Sequence, residues 1–374
     1  MEAISMQLQH RILLPFVLLV CVNAQPADTL VSPEIESDRR VTFRMRAPKA
    51  SEVALSGDWM SPGSQKPMMK TTSDGVWAIS EGPMDVGMYI YNFVVDGVAI
   101  ADPVNPRMKL RSRTSASLVE VSGDKPAFWQ LRDVPHGSVE INWQKSKAIN
   151  GETRPIWVYT PPGYEKSGNR RYPVVYLLHG SNDTAAGWTT AGNANFIIDN
   201  LLAENKALPM IVVMPYTHAV PFGSPREVQA KNTPLFEKYL MEDVMPFAES
   251  KYRIAKGSNN QALVGLSMGG GHSLNIGLSH LGMFHTVGVF SSAPGPDFET
   301  KFADILKNPN QANSKIKQFY IGCGLQDAVI ARATKLSETL KAHNIRHTFR
   351  TMEGLHTFTV WRTFLNEVAP LMFR

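Results

Sequence analysis

A serine flanked by glycines sits where two periodicities meet, and this junction constrains the fold more than any other stretch of the chain. Residues 261–264, Gln-Ala-Leu-Val, read as a short buried strand. Gly265-Leu266-Ser267-Met268-Gly269 follows, and the next residues, 270–276, can start a helix. A sharp strand-to-helix turn of this kind lifts the serine hydroxyl above the carboxyl edge of a sheet. Side chains two residues either side of the serine would collide across such a turn, which accounts for glycine at 265 and 269. The plainer alternative is a glycine-rich turn that only packs a helix onto a sheet.

The rhythm around this turn fits a layered α/β region. Segments 156–159, 174–178, 210–214, 286–290 and 318–323 are short and mostly apolar, and 347–352 reads as a further strand. They alternate with stretches of helical spacing at 194–206, 235–252, 329–343 and 358–369, the second expected to bend near Pro246. Continuous apolar strands between helices predict a mainly parallel sheet covered on both faces, the α/β class, over 139–374. Residues 38–122 read differently. Val41, Phe43 and Met45 alternate with polar neighbours, as do Val53 and Leu55, then Trp77 and Ile79. Segment 88–95 is an aromatic-rich strand, and 117–121 closes the set. Asp74-Gly75 and Asp96-Gly97 are hairpin dipeptides. Short strands at this spacing predict a small β-sandwich. Residues 123–138, with polar, turn-rich pieces at 123–126 and 133–137, read as a linker.

With 374 residues, 43 % hydrophobic, the chain can build one large core and a smaller domain. Its formal charge of +5 is scattered, with no arginine-rich run, so no nucleic-acid partner is expected. Residues 1–24 read as a signal peptide. His10 and Arg11 precede the apolar run 12–20, and Val22-Asn23-Ala24 suits cleavage before Gln25. The run is too short to span a bilayer, so no stable membrane insertion is expected after its removal, and the product is expected to be secreted or periplasmic. An anchoring helix is the alternative. A lipid-modified Cys21 is disfavoured by the bulky Val20 before it. Loss of Cys21 leaves Cys323 alone, with no internal disulfide; within the apolar 319–323 it reads as an inert core thiol.

A serine hydroxyl is a weak nucleophile at neutral pH and needs a base, itself oriented by a third group. Where a sheet presents such groups at its carboxyl edge, the chain order is Ser, acid, His. Asp327 directly follows the strand ending at Cys323 and is the expected acid, with a helix N-cap as its structural alternative. Asp297 and Asp304 follow a different strand and read as loop or helix-start residues. His356 follows strand 347–352 and is the expected base; His343 and His347 lie at the wrong end of that strand. His272 falls in the helix after Ser267, and His218, His280 and His285 precede the acid. An oxyanion needs two aimed backbone donors. The N–H of Met268 is one, and that of Ser181, with Gly180 as its neighbour, is the other. His179 borders the site, and Trp188 either lines it or packs its loop. No metal-ligand spacing, G-x-G-x-x-G or P-loop is present, so neither metal nor cofactor is expected.

These motifs carry a resemblance. Residues 172–180, then Gly187-Trp188, the Ser267 pentapeptide with Gly270, and His356-Thr357-Phe358 with Trp361-Arg362 are similar to the esterase-D-like carbohydrate esterases of family 1. That family holds feruloyl and acetyl xylan esterases, with enterochelin esterases as relatives. The resemblance implies an α/β-hydrolase domain over 139–374, with Ser267, Asp327 and His356 as nucleophile, acid and base. It implies acylated plant polysaccharide of the xylan type as partner, and ferulate or acetate as the released acyl group. Residues 53–59, 91–97 and 102–105 resemble the early-set, immunoglobulin-like modules akin to family 48 carbohydrate-binding modules. Trp59 and Trp77 are their candidate sugar-stacking residues, with core packing as the alternative. Leu355 departs from the glycine common before the histidine. The rival readings are a siderophore-ester hydrolase, a small-ester or thioester hydrolase, and a non-catalytic saccharide-binding protein.

Overall fold

The computed structural model describes residues 29–374. The expected signal peptide, with Cys21, lies outside them. No helix among the described residues is long and apolar enough to cross a membrane.

The alternating pattern of the first third becomes two stacked antiparallel sheets. One has the order β1 (Glu34–Ile35), β2 (Val41–Arg46), β6 (Val76–Glu81), β5 (Met69–Lys70). The other runs β4 (Lys66–Pro67), β3 (Val53–Gly57), β7 (Gly87–Val95), β10 (Ser115–Val121), β9 (Met108–Leu110), with β8 (Val98–Ile100) hairpinned onto β7. Between them lie Val41, Phe43, Leu55, Tyr91, Phe93, Val119 and Val121, the inward residues of each alternation. Inside the same region Asp102 accepts from the Ser32 and Tyr91 hydroxyls at 2.6 and 2.7 Å, so the 102–105 motif closes a buried polar network. Trp59 stacks on Phe43 at 5.8 Å and Trp77 donates to the Ala47 carbonyl at 3.0 Å; both rings pack against the sandwich interior.

The second region is one eight-stranded sheet. Its order is β11 (Ser138–Lys145), β12 (Thr153–Thr160), β14 (Ile211–Pro215), β13 (Val174–Leu178), β15 (Gln261–Leu266), β16 (Thr286–Phe290), β17 (Gln318–Gly324), β18 (Thr348–Met352). The pairs β11/β12 and β12/β14 are antiparallel and all the others parallel, the mainly parallel sheet of an α/β-hydrolase fold. The register aligns Leu178 with Gly265, Leu266 with Phe290, and Gly324 with Met352, so the loops after β13, β15, β17 and β18 leave from one edge. One face buries Tyr176, Leu263 and Val287 under helices. The expected bent helix over 235–252 is one helical run, α-helical at Asn232–Tyr239 and Met245–Lys251 with a π segment at Leu240–Val244 between them. Pro246 lies just past the π segment, and a proline inside a helical run removes one ladder hydrogen bond.

The opposite face joins the two regions. Met88, Ile90, Ala116 and Leu118 of the β-region share one apolar cluster with Val175, Leu177, Val264, Phe290 and Phe358. Residues 123–138 correct the expectation of a simple linker. Trp129 is 5 % exposed in that shared cluster. The Asn200 side chain donates to the Phe128 and Gln130 carbonyls at 2.8 and 2.9 Å, and that of Asn193 to the Trp129 carbonyl at 3.1 Å. Arg362 is buried on helix Phe358–Val368; it donates to the Ala191 and Met88 carbonyls and lies over the Trp129 ring. Burial lowers its pKa to about 10.

Candidate active site

The turn after β15 is as tight as its glycines suggest. Ser267 has φ 51° and ψ −119°, a backbone region that L-residues seldom occupy and that costs on the order of 1–3 kcal/mol. A Cβ on Gly265 would lie 2.3 Å from the Gly269 carbonyl oxygen, and one on Gly269 would lie 2.6 Å from that of His179. Helix Met268–Ser279 begins at the next residue. The first N–H groups of a helix have no acceptor within it, so the Met268 N–H stands free of the helix's own hydrogen bonds.

Three side chains from three loops meet at this edge. His356 Nε2 is 2.9 Å from Ser267 Oγ, and His356 Nδ1 is 2.8 Å from Asp327 Oδ2. A carboxylate only accepts, so Nδ1 carries the ring proton and Nε2 of the neutral ring accepts from the serine hydroxyl. Asp327 Oδ1 also accepts from the Val329 N–H at 2.9 Å, a local turn just ahead of helix Ile330–Ala342, whose cap position is Val329. Burial pushes its pKa up, but the hydrogen bonds from His356 and Val329 outweigh that and hold it below the ordinary aspartate value. Trp361 meets the His356 ring edge-on at 5.0 Å. Cys323 nearby is buried, and burial first, then the Asp327 charge, push its thiol up to about 12. An inert thiol follows.

Gly180 and Ser181 line the cavity above Ser267, as a second oxyanion donor there requires. Their loop is braced from beneath. His179 is 1 % exposed and does not line the cavity, a correction to its expected contact with substrate. Its Nε2 accepts from the Thr217 N–H at 2.9 Å, which leaves Nδ1 to donate to the Gly180 carbonyl at 2.8 Å. Burial lowers its pKa far below the usual histidine value, so the ring is a neutral brace. Trp188 is likewise corrected: it is fully buried and donates to the Leu178 carbonyl at 3.0 Å, with its ring against Phe290 and Phe358. It supports the floor of the site. His343 and His347 bond to Leu306 and Ser337, away from the nucleophile, and His272 stacks on Phe236 at 4.6 Å.

Several residues missed in the sequence surround this loop. His218 Nε2 donates to the Ser181 carbonyl at 2.6 Å; its position just past the carboxyl end of β14 was the available signal. The others come from the β-region. Ser112 donates to the Ser181 and Asp183 carbonyls at 2.8 and 2.9 Å. Lys109 Nζ pairs with Asp183 Oδ1 at 3.0 Å, both side chains about 5 % exposed or less. Burial lowers Lys109 and raises Asp183, and their attraction opposes both shifts. Asp58 and Arg111 line the same cavity as Ser267 and His356. The cavity holds about 210 Å³. A second, of about 270 Å³, adjoins it across Asp58, Ile90, Arg111 and His356, and Leu355 borders that one rather than the first. Among the described residues no group of three or more His, Cys, Asp or Glu could hold a metal ion. Chemically, the arrangement offers an activated hydroxyl, a proton shuttle and backbone donors in one cavity, the requirements of acyl transfer.

Comparison with known proteins agrees with this chemistry. An endo-1,4-beta-xylanase/feruloyl esterase of Xylanibacter ruminicola is 30 % identical over 351 residues, 91 % of this chain and 46 % of that protein. An esterase of Mycobacterium tuberculosis is 30 % identical over 182 residues, 48 % of this chain and 34 % of its own length. The chain therefore spans less than half the length of either of these curated relatives. A CE1 ferulic acid esterase of Anaeromyces mucronatus, solved with ferulic acid, superposes with a TM-score of 0.59 at 26 % identity, covering 68 % of this chain and 98 % of the other. The enterobactin esterase of Shigella flexneri superposes with a TM-score of 0.67 at 17 % identity, covering 89 % and 93 %. That likeness is one of fold, and it extends into the β-region. Residues 146–372, more than half of the sequence, match the Esterase family model, and the chain belongs to that family.

Proposed function

We propose that the protein is an exported serine carboxylic-ester hydrolase that removes ferulate or acetate from plant polysaccharide of the xylan type. One observation carries the reading: a hydroxyl on a strained elbow, an imidazole and a buried carboxylate lie in hydrogen-bonded series at 2.9 and 2.8 Å. Ser267 attacks the ester carbonyl while His356 takes its proton, and the developing charge rests on the N–H groups of Met268 and Ser181. The alcohol leaves with the proton from His356. Water then enters by the same route and frees the acid. The names of the Xylanibacter and Anaeromyces relatives favour a feruloyl group.

The test is a side-by-side measurement of kcat/KM on methyl ferulate, acetylated xylan and a catecholate siderophore ester, with wild type and Ser267→Ala. The reading expects turnover of the first or second by wild type and its loss in the variant. Equal rates in the two proteins overturn the nucleophile assignment. A preference for the siderophore ester overturns the substrate class.

A further inference from the structure

The sandwich places a carboxylate in the wall of the candidate site that none of the steps above uses. Asp58 follows β3, and its Oδ1 accepts from the Ile90 N–H at 3.0 Å. Its Oδ2 is buried and has no hydrogen-bond partner. An ionised carboxylate has about four lone-pair sites, of which this bond fills one. Asp58 lines both the cavity above Ser267 and the adjoining one, so it stands where the two meet. Trp361, 6 % exposed and lining the first cavity, has an Nε1 donor that is also buried without a partner. Native structures seldom leave buried polar atoms unpaired, because each costs about 1–3 kcal/mol. Two residues that line one cavity thus carry an unused acceptor and an unused donor, which suits a group that both donates and accepts.

We propose that Asp58, carried by the β-region, is a specificity-determining residue that accepts a hydrogen bond from a substrate hydroxyl near the scissile ester. A carboxylate cannot donate, so its partner must. A cationic partner is disfavoured, because Arg362, Arg111 and Lys109 already act on this carboxylate. A neutral hydroxyl remains. The inference rests on the esterase reading above. On such a substrate the hydroxyl has two sources, a phenol on the acyl group or the sugar beside the ester. Burial raises Asp58 to about 6, so the group is ionised at pH 7.5.

The variant Asp58→Asn keeps the oxygen that accepts from Ile90 and replaces Oδ2 by an N–H donor. Wild type and variant are compared at pH 7.5 on methyl ferulate, methyl 3,4-dimethoxycinnamate and arabinosyl ferulate. Each result is a ratio of kcat/KM values from one preparation, so partial misfolding cancels. If the phenol is the partner, wild type favours ferulate over its capped analogue by about tenfold or more, and the variant brings that ratio near or below one. If the sugar is the partner, the advantage of arabinosyl over methyl ferulate collapses by a similar factor instead. If both ratios stay within twofold of wild type, Asp58 recognises no hydroxyl and the proposal is overturned. Absence of any turnover by wild type, or turnover undiminished in Ser267→Ala, overturns the esterase reading as well.

Discussion

Two walls of one cavity come from regions with different architectures. The sheet of residues 138–352 supplies groups that can act on an ester, all on loops at its carboxyl edge: Ser181 after β13, Ser267 after β15, Asp327 after β17, His356 after β18. Among the described residues the hydrogen-bond partner of the Ser267 hydroxyl is His356, from the sheet, and not a group of the β-region. Its Lys109 and Ser112 hold the loop of Ser181 and Asp183, and Asp58 and Arg111 line the same cavity. The difference teaches how labour is divided: the chemistry sits where strand ends converge, and its bracing comes from a neighbour that shares the apolar cluster of Met88, Ile90 and Leu118.

The largest effects test the first wall. Replacing Ser267 or His356 by Ala is expected to lower kcat by roughly 10⁶-fold, and Asp327→Asn by roughly 10⁴-fold through the wrong imidazole tautomer. Thermal unfolding of the Ser267 variant should change little, since the group that alanine leaves unpaired, His356 Nε2, belongs to a ring that lines the cavity. Burst kinetics with a chromogenic ester complete the test. A residual rate within tenfold of wild type for Ser267→Ala would remove the division of labour at its root.

The second wall answers to stability. Lys109→Met leaves Asp183 buried without its cation and is expected to cost about 3–5 kcal/mol by urea unfolding. The double variant Lys109→Met with Asp183→Leu should recover most of that, because removing both charges removes the unpaired one. Asp183 is two residues past Ser181, so the single variant is also expected to lower kcat more than it raises KM. If Lys109→Met loses stability but keeps kcat, the pair holds the regions together without shaping the oxyanion loop. Truncation of residues 29–122 is expected to leave an aggregating remainder, because it strips Met88, Ile90, Ala116 and Leu118 from a shared core. A soluble, active remainder would reduce the β-region to an accessory.

Much of the first wall was legible before any coordinates. Period and length separate sandwich from parallel sheet, and the order of Ser267, Asp327 and His356 follows from which strand each residue terminates. Local pattern reaches no further than a strand and its loop. Trp188 follows a loop beside the site, and from the sequence such an indole lines a cavity or floors it with equal reason; its N–H bond to Leu178 decides for the floor. His179 borders the site in sequence, yet its ring turns to Thr217. Phe128 and Trp129, aromatics between two polar, turn-rich pieces, are the sign that residues 123–138 are docked rather than loose. Asp58 and Lys109 meet residues of the other region across more than seventy positions in sequence, and no periodicity encodes that distance.

The smallest expected effect concerns Asp58 alone and sharpens the comparison most, since it separates recognition from bracing. Burial raises this carboxyl to about 6, and the Ile90 N–H with the charges of Arg362, Arg111 and Lys109 only partly offset that. The folded chain therefore holds this proton more tightly than the unfolded chain, whose aspartates titrate near 3.8. The stability that this linkage contributes is fully present below about pH 4 and is lost as pH rises through 6. Wild type should lose about 1–3 kcal/mol on this account between pH 4 and pH 7. Asp58→Asn carries no such proton, so its urea midpoints should rise relative to wild type across that window and run parallel to it above pH 7. A bracing residue would show the reverse, with the variant weaker at every pH. Parallel curves from pH 4 to pH 7 would mean that Asp58 is solvated like any surface aspartate, and its wall would then have no more than a packing role.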